Sequence, residues 1–190
     1  MIQTQRLIIR PFRATDFTGL FEYLSNPLVY QFEPGAPITL AEAQALAVER
    51  AGQSEFWAVA LQTTDQIVGH LYFSQIDPHH LQTWELGYIF NPAHQRQGYA
   101  SEAAAALVRH GFAAWGIHRV VAHCSPENTA SWRLLERIGM HREGYFRKNI
   151  YFKTDASGRP LWLDTLAYAL LEQDLPLLPD GRMDGLRHPL

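Results

Sequence analysis

Asn91–Ala106 reads NPAHQRQGYASEAAAA, and its reading decides how the rest of the chain is arranged. A proline-containing turn leads into the polar run Gln95-Arg96-Gln97-Gly98-Tyr99-Ala100, which opens directly into an alanine-rich helix. The first N–H groups of a helix lack intrahelical acceptors. Joined by the amides of a turn they converge on an anion, and the helix dipole adds a few tenths to ~2 kcal/mol for negative charge there. Gly98 lets a ligand touch the backbone. A plain turn before a helix has the same composition, so the neighbouring elements must choose between the two readings.

Thr83–Phe90 (TWELGYIF) reads as a strand, so the unit is strand, polar glycine loop, helix. Neither familiar nucleotide motif fits: the loop lacks the Gly-Lys-Ser/Thr ending of a P-loop and the further glycines of a dinucleotide fingerprint. Downstream, Ala100, Ala103, Ala104, Leu107, Val108, Gly111 and Ala114 recur at helical spacing over Tyr99–Trp115, small enough to let that helix lie close on a sheet. Gly116 ends it, and His118–His123 is the next strand, reached by a crossover that makes the pair parallel. Ser125–Thr129 is a turn rich in capping residues. Ala130–Ile138 is a short helix stopped by Gly139, and Met140–Ile150 and Leu161–Leu170 are two more strands about a Thr154–Gly158 turn.

Upstream, Arg6–Pro11 is a first strand, and Ala14-Thr15-Asp16 starts a helix through Phe17, Leu20, Phe21 and Leu24 that Asn26-Pro27 stops. Tyr30–Pro37, with two prolines and a glycine, is a loop, and Thr39 caps a helix over Leu40–Gln53 with Glu42 in its first turn. Phe56–Gln62 and Ile67–Ile76 alternate as a hairpin, and with the Trp84 strand they form a meander.

A chain of 190 residues, 47% of them hydrophobic, suits one core, expected over residues 1–175 with an irregular tail over 176–190. Sixteen basic and 19 acidic residues give a net charge of −3 without like-charge blocks, so no nucleic-acid partner is expected. Cys124 is the sole cysteine, which excludes an internal disulfide and a cysteine zinc site; no metal is expected. Nothing resembles a signal peptide and no apolar run approaches the ~20 residues that cross a bilayer, so the expectation is a soluble, cytoplasmic protein with no membrane partner.

Gln95-x-x-Gly98-x-Ala100 between strand and helix, followed by Asn128-x-x-Ser131 at the next helix start, resembles the GNAT superfamily of acetyl-CoA-dependent N-acetyltransferases. Thr4-x-Arg6-Leu7, Arg10-Pro11, Glu85-Leu86-Gly87-Tyr88, Glu102-Ala103, Gly139-Met140 and Asp164-x-x-x-Tyr168-Ala169 resemble more narrowly its RimJ/RimL-type branch, which acetylates the N-termini of ribosomal proteins. The resemblance spans residues 4–170 and implies an α/β (α+β) fold: a mixed central sheet of about seven strands with a splayed parallel pair, flanked by about four helices.

The same resemblance implies that the backbone amides of Gln95, Arg96, Gln97, Gly98, Tyr99, Ala100 and Ser101 hold the pyrophosphate of acetyl-CoA. Its pantetheine arm is expected to bond main-chain groups of Tyr88, Ile89 and Phe90. A strand N–H facing the thioester oxygen contributes roughly 3 kcal/mol when that oxygen becomes an oxyanion. Asn128 is implied as a CoA contact, beside its own reading as a helix cap. Ser131 is implied as the general acid for the CoA sulfur, beside that of a helix-start serine. Glu85 is implied as the candidate base, beside that of a surface glutamate. The implied activity is direct acetyl transfer from acetyl-CoA to a primary amine, and the competing reading is an acyl-CoA-binding sensor or interaction module without turnover. Relatives are often dimers, so a homodimer is one state the resemblance allows, but no residue in the sequence marks an interface and the oligomeric state stays open.

Magnitudes set how much a base matters. A lysine amine of pKa ~10.4 must give up about 3.4 units, or ~4.6 kcal/mol, to be neutral at pH 7, whereas an α-amino group near 7.8 needs only ~1. Of nine histidines, His70, His123 and His141 lie in strands near the expected cleft. Where some relatives carry an acidic residue after the Glu143-Gly144 turn, this chain has Arg147-Lys148-Asn149-Ile150, which weakens transfer of their substrate. The loops expected to set the acceptor are Tyr30–Pro37 and Tyr151–Pro160. Cys124 reads as a packing residue.

Overall fold

In a computed structural model that describes residues 1–175, the chain builds one mixed sheet of eight strands. These are β1 (Ile2–Gln3), β2 (Leu7–Pro11), β3 (Phe56–Leu61), β4 (Ile67–Gln75), β5 (Thr83–Phe90), β6 (Arg119–Cys124), β7 (His141–Thr154) and β8 (Pro160–Leu171), in spatial order β1-β2-β3-β4-β5-β6-β8-β7. The β5–β6 pair is parallel and the other neighbours are antiparallel, as the crossover through α3 (Tyr99–Trp115) requires. The remaining helices are α1 (Phe17–Leu24), α2 (Leu40–Ala51) and α4 (Thr129–Arg137).

Alternation along the strands divides the core between the sheet's two faces. On one face Val59, Leu71, Phe73, Leu86 and Val120 meet Leu107, Val108, Phe112 and Leu135 of α3 and α4. On the other, Ala58, Ala60 and Ile67 meet Leu20, Tyr23, Leu24 and Ala47 of α1 and α2. Trp84 is half-buried and packs against the core, stacked on Trp115 at 5.3 Å between ring centroids. Gly111 lets α3 lie against the sheet: a Cβ there would stand 2.6 Å from Ile117 Cδ1 and 3.0 Å from Phe73 Cε1. α2 begins in a capping box, with the Thr39 side chain accepting from Glu42 N and Glu42 accepting from Thr39 N, so its start was readable. Beneath α1, Arg10 of β2 forms a bidentate pair with Asp16, 2.8 and 2.9 Å.

Several boundaries differ from the sequence reading. β1 was not expected, because two residues carry no periodicity. β7 runs four residues past Ile150 and β8 begins at Pro160, leaving Asp155–Arg159 as the turn; Asp155 Oδ1 accepts from Ser157 N and Arg159 N. Glu143-Gly144 is not a turn but an irregularity inside β7, where the register against β8 slips between Arg142 and Gly144. The tail expected over 176–190 lies outside the described residues.

Candidate active site

β4 pairs with β5 along its length, from Gln75↔Trp84 to Gly69↔Phe90, but β6 pairs with β5 only at Thr83↔Arg119, Trp84↔Val120 and Glu85↔Val121. β6 itself stays paired with β8 through Cys124. Past Glu85 the two parallel strands therefore splay, and the edge of Leu86–Phe90 turned away from β4 has no neighbouring strand among the described residues. A cavity of about 540 Å³ lies at this opening. It is walled by the Leu28–Glu33 segment, the end of β5, the loop into α3 and the first turns of α3 and α4.

At one end of the cavity the chain turns through Arg96 (φ 63°) and Gly98 (φ 81°) into α3, which starts without a side-chain cap. α2 and α4 are both capped, by Thr39 and Asn128, so α3 is the long helix whose first amides are left for another acceptor. Arg96, Arg133 and Arg137 line this end, with Arg137 Nη1 donating to Ser101 Oγ at 2.9 Å. The outer side of the loop is fastened to the N-terminal segment. Thr4 Oγ1 and Arg6 N donate to Glu102 Oε1 at 2.6 and 3.0 Å, Arg6 Nε donates to Glu102 Oε2 at 2.7 Å, and Arg6 Nη1 donates to the Gln97 carbonyl at 2.8 Å. The Arg6 guanidinium lies over the Tyr99 ring, 4.7 Å from its centroid. Thr4, Arg6 and Glu102 thus act together as a clasp that holds Gln97 facing away from the cavity.

Deeper in, the Tyr88 hydroxyl lies 2.8 Å from Ser131 Oγ and donates to the Ser131 carbonyl at 3.2 Å. Ser131 is buried, and Asn128 Oδ1 accepts from its backbone N–H at 3.1 Å, so the cap of α4 positions the hydroxyl. Burial pushes the Tyr88 phenol well above its usual range and the Cys124 thiol up to about 11, so both keep their protons at neutral pH. Cys124 is a buried neighbour of Ser131. On the loop between α1 and α2, Glu33 lines the same cavity. Burial alone raises its carboxyl from 4.5 to about 7.

Of the residues singled out in the sequence, Tyr88, Ile89, Phe90, Gln95, Arg96, Gly98, Tyr99, Ala100, Ser101, Asn128 and Ser131 all line this cavity. Gln97 and Glu85 do not. Glu85 has the strand parity of Ile89, opposite to Tyr88, and its Oε1 is 3.2 Å from Nδ1 of the half-exposed His123. His70 is buried and held neutral, its pKa driven far down by burial and then by the nearby Arg50, with Nδ1 2.6 Å from the Tyr23 hydroxyl. His141, Arg142, Arg147 and Lys148 are exposed on β7, away from the cavity lining. Of the two loops expected to border the acceptor, Tyr30–Pro37 contributes Gln31, Phe32 and Glu33, and the β7–β8 turn contributes nothing. Arg133 and Arg137 went unread although their i,i+4 spacing just past Ser131 puts them on one helix face. No cluster that could hold a metal ion occurs among the described residues, and no helix among them is long and apolar enough to cross a membrane.

A splayed parallel pair, an uncapped helix start and a hydroxyl pair thus border one cavity. Residues 6–141 match the family model described as the acetyltransferase (GNAT) domain. The chain is 38% identical over 174 residues to the uncharacterized N-acetyltransferase YnaD of Bacillus subtilis (strain 168), covering 91% of this chain and 98% of that one. The crystal structure of a GNAT-family acetyltransferase from Bacillus anthracis superposes with a TM-score of 0.82 at 37% identity, over 90% of this chain and 98% of the other. Spermidine N-acetyltransferase from Vibrio cholerae, in complex with CoA and spermine, shares the fold at a TM-score of 0.73 and 18% identity, over 90% of this chain and 98% of that one. The chain belongs to the GNAT family and is an acetyltransferase, for which acetyl-CoA is the acetyl donor.

Proposed function

We propose that the protein transfers the acetyl group of acetyl-CoA directly to a primary amine, in the manner of the RimJ/RimL-type branch, with a peptide α-amino group as the preferred acceptor. The observation that supports this is one continuous cavity. It runs from the uncapped start of α3, past the free edge of β5, to the Tyr88–Ser131 hydroxyls. The amides of Gln95–Ser101 and the guanidiniums of Arg96, Arg133 and Arg137 suit the phosphates of the donor. Main-chain groups of Tyr88–Phe90 suit its pantetheine arm, and the hydroxyl pair suits the sulfur, where a donated hydrogen bond stabilises the departing thiolate. An α-amine fits because its neutral form costs only ~1 kcal/mol at pH 7, within the reach of one weak base.

Calorimetry is expected to find acetyl-CoA binding in a metal-free buffer, and an absence of binding at millimolar ligand would sink the proposal. Thiol release against a panel of peptides, polyamines and aminoglycosides, followed by mass spectrometry of acetylated products from cell extract, then ranks the acceptors. Tight CoA binding with no thiol release from any amine would favour the sensor reading. Gly98→Val tests the phosphate end. At φ 81° a β-branched side chain is strained, and its Cβ would stand 3.3 Å from Arg6 Nη2. An affinity loss of about tenfold or more for acetyl-CoA is expected, with kcat at saturation nearly kept.

A further inference from the structure

The loop after α1 is a built structure rather than slack chain. Asn26 Oδ1 accepts from Leu28 N at 3.0 Å, and the Tyr30 hydroxyl and Ile38 N both donate to the Leu24 carbonyl, at 2.9 and 3.0 Å. Both feet of the loop thus meet on one residue, and its crest, Phe32-Glu33, is held over the cavity. Among the described residues that line the cavity, Glu33 is the single acid. The arginines all belong to the other wall, on the α3 loop and α4. Around Glu33 the lining is apolar: Leu28, Val29, Phe32 and Ile89. The carboxylate makes no hydrogen bond or ion pair among the described residues, and its negative charge is felt by the Tyr88 phenol.

We infer that Glu33 is the group that draws the cationic acceptor amine into the cavity and takes its proton, placing nucleophile and leaving-group donors on opposite walls. This rests on the amine-transfer reading above and deepens it. An unpartnered carboxylate in an apolar wall is matched by a primary ammonium, which brings the missing counter-charge. One ammonium proton passes to Glu33, and the freed lone pair attacks the thioester carbonyl carbon, forming the C–N bond. As the C–S bond breaks, the electron pair goes to sulfur, beside the Tyr88–Ser131 hydroxyls. The second nitrogen proton makes up for the one that sulfur takes, and Glu33 returns its own proton to water. Amide, thiol and one released proton balance the ammonium and the thioester. The carboxyl's elevated pKa suits such a base, close to the operating pH.

The charged and titratable groups that line the cavity from other elements are Tyr88 on β5, His94 and Arg96 before α3, Tyr99 on α3, and Arg133 and Arg137 on α4. His94 is the histidine of that lining, so it serves as the control. With a peptide acceptor bearing an uncharged N-terminal residue, Glu33→Gln is expected to lower kcat/KM at pH 7 by about 100-fold or more. It should also abolish a rising limb of kcat/KM centred near pH 7, while acetyl-CoA affinity by calorimetry stays within about threefold. Carbon-13 NMR of the glutamate carboxyls in the free protein should show one titration near pH 7 that Glu33→Gln removes.

The fold of the variant is checked by its melting temperature. Because the folded pKa is raised, the wild type loses stability as pH rises from 4.5 through about 7. Glu33→Gln should therefore melt higher than wild type above pH 7 and alike below pH 4.5. A rate within threefold of wild type, or a limb that persists in Glu33→Gln and vanishes in His94→Gln, overturns the assignment while leaving amine transfer intact. A wild type that binds acetyl-CoA but acetylates no amine overturns both.

Discussion

Ser131→Ala is expected to lower the single-turnover rate of acetyl transfer by about 10²- to 10⁴-fold, the range for a positioned proton donor. Acetyl-CoA affinity should stay within about threefold, because the neighbouring Asn128 cap and the α3 amides remain. The side chain is buried, 2.8 Å from the Tyr88 hydroxyl, and truncating it leaves Tyr88 bonded only to the Ser131 carbonyl. Tyr88→Phe is the companion. If the tyrosine itself faces sulfur and the serine only orients it, Tyr88→Phe shows the larger loss and Ser131→Ala the smaller. Single-turnover rates separate chemistry from CoA release in both. An unchanged single-turnover rate in both variants would remove the hydroxyl pair from the leaving-group role.

Asp16→Asn is expected to destabilise the fold by about 3–5 kcal/mol, the cost of orphaning a buried partner charge. Arg10 and Asp16 have side-chain exposures of only 4% and 7%, whereas Asp65, the other carboxylate on Arg10, is 47% exposed and shared with Arg13. Asp16 Oδ2 also accepts from Arg13 N at 2.7 Å, fixing the entry into α1. Urea denaturation should show a lower midpoint with an unchanged slope. Replacing both partners, as Arg10→Leu with Asp16→Leu, should cost less than the single Asp16→Asn, since no charge is then left buried. A single-variant loss under about 1 kcal/mol would show that Asp65 can hold Arg10 alone.

The readable parts of this chain are those whose cause is local. The Thr39–Glu42 box, the Gly98 turn, the small-residue face of α3 and the Asn128 cap all act within a few residues of themselves, so their spacing carries their structure. The unread parts are made by distant partners. Tyr151–Thr154 reads as loop from its polar surroundings, yet Tyr151↔Trp162 and Thr154↔Pro160 pair across the hairpin. Glu33 sits in a Phe-Glu-Pro-Gly loop with no periodicity, and the surroundings that perturb it come from β5 and from the loop's own apolar residues, folded back on Leu24. Glu85 shows the converse: its motif was legible, but whether it reaches the cavity depends on where the splay begins.

That splay has a consequence for the order of events in turnover. The sheet is two plates, β1–β5 and β6–β8, sharing a seam of three residue pairs, and beyond the seam the backbone groups of one plate face a gap. Under the proposed reading, the donor's arm fills that gap as a guest strand, so it is substrate and masonry at once. Spent CoA carries the same arm, and losing the acetyl group loosens none of those contacts. The enzyme must then let go of a piece of its own sheet before the next cycle, which places the slow step of a fast chemistry at departure of the thiol.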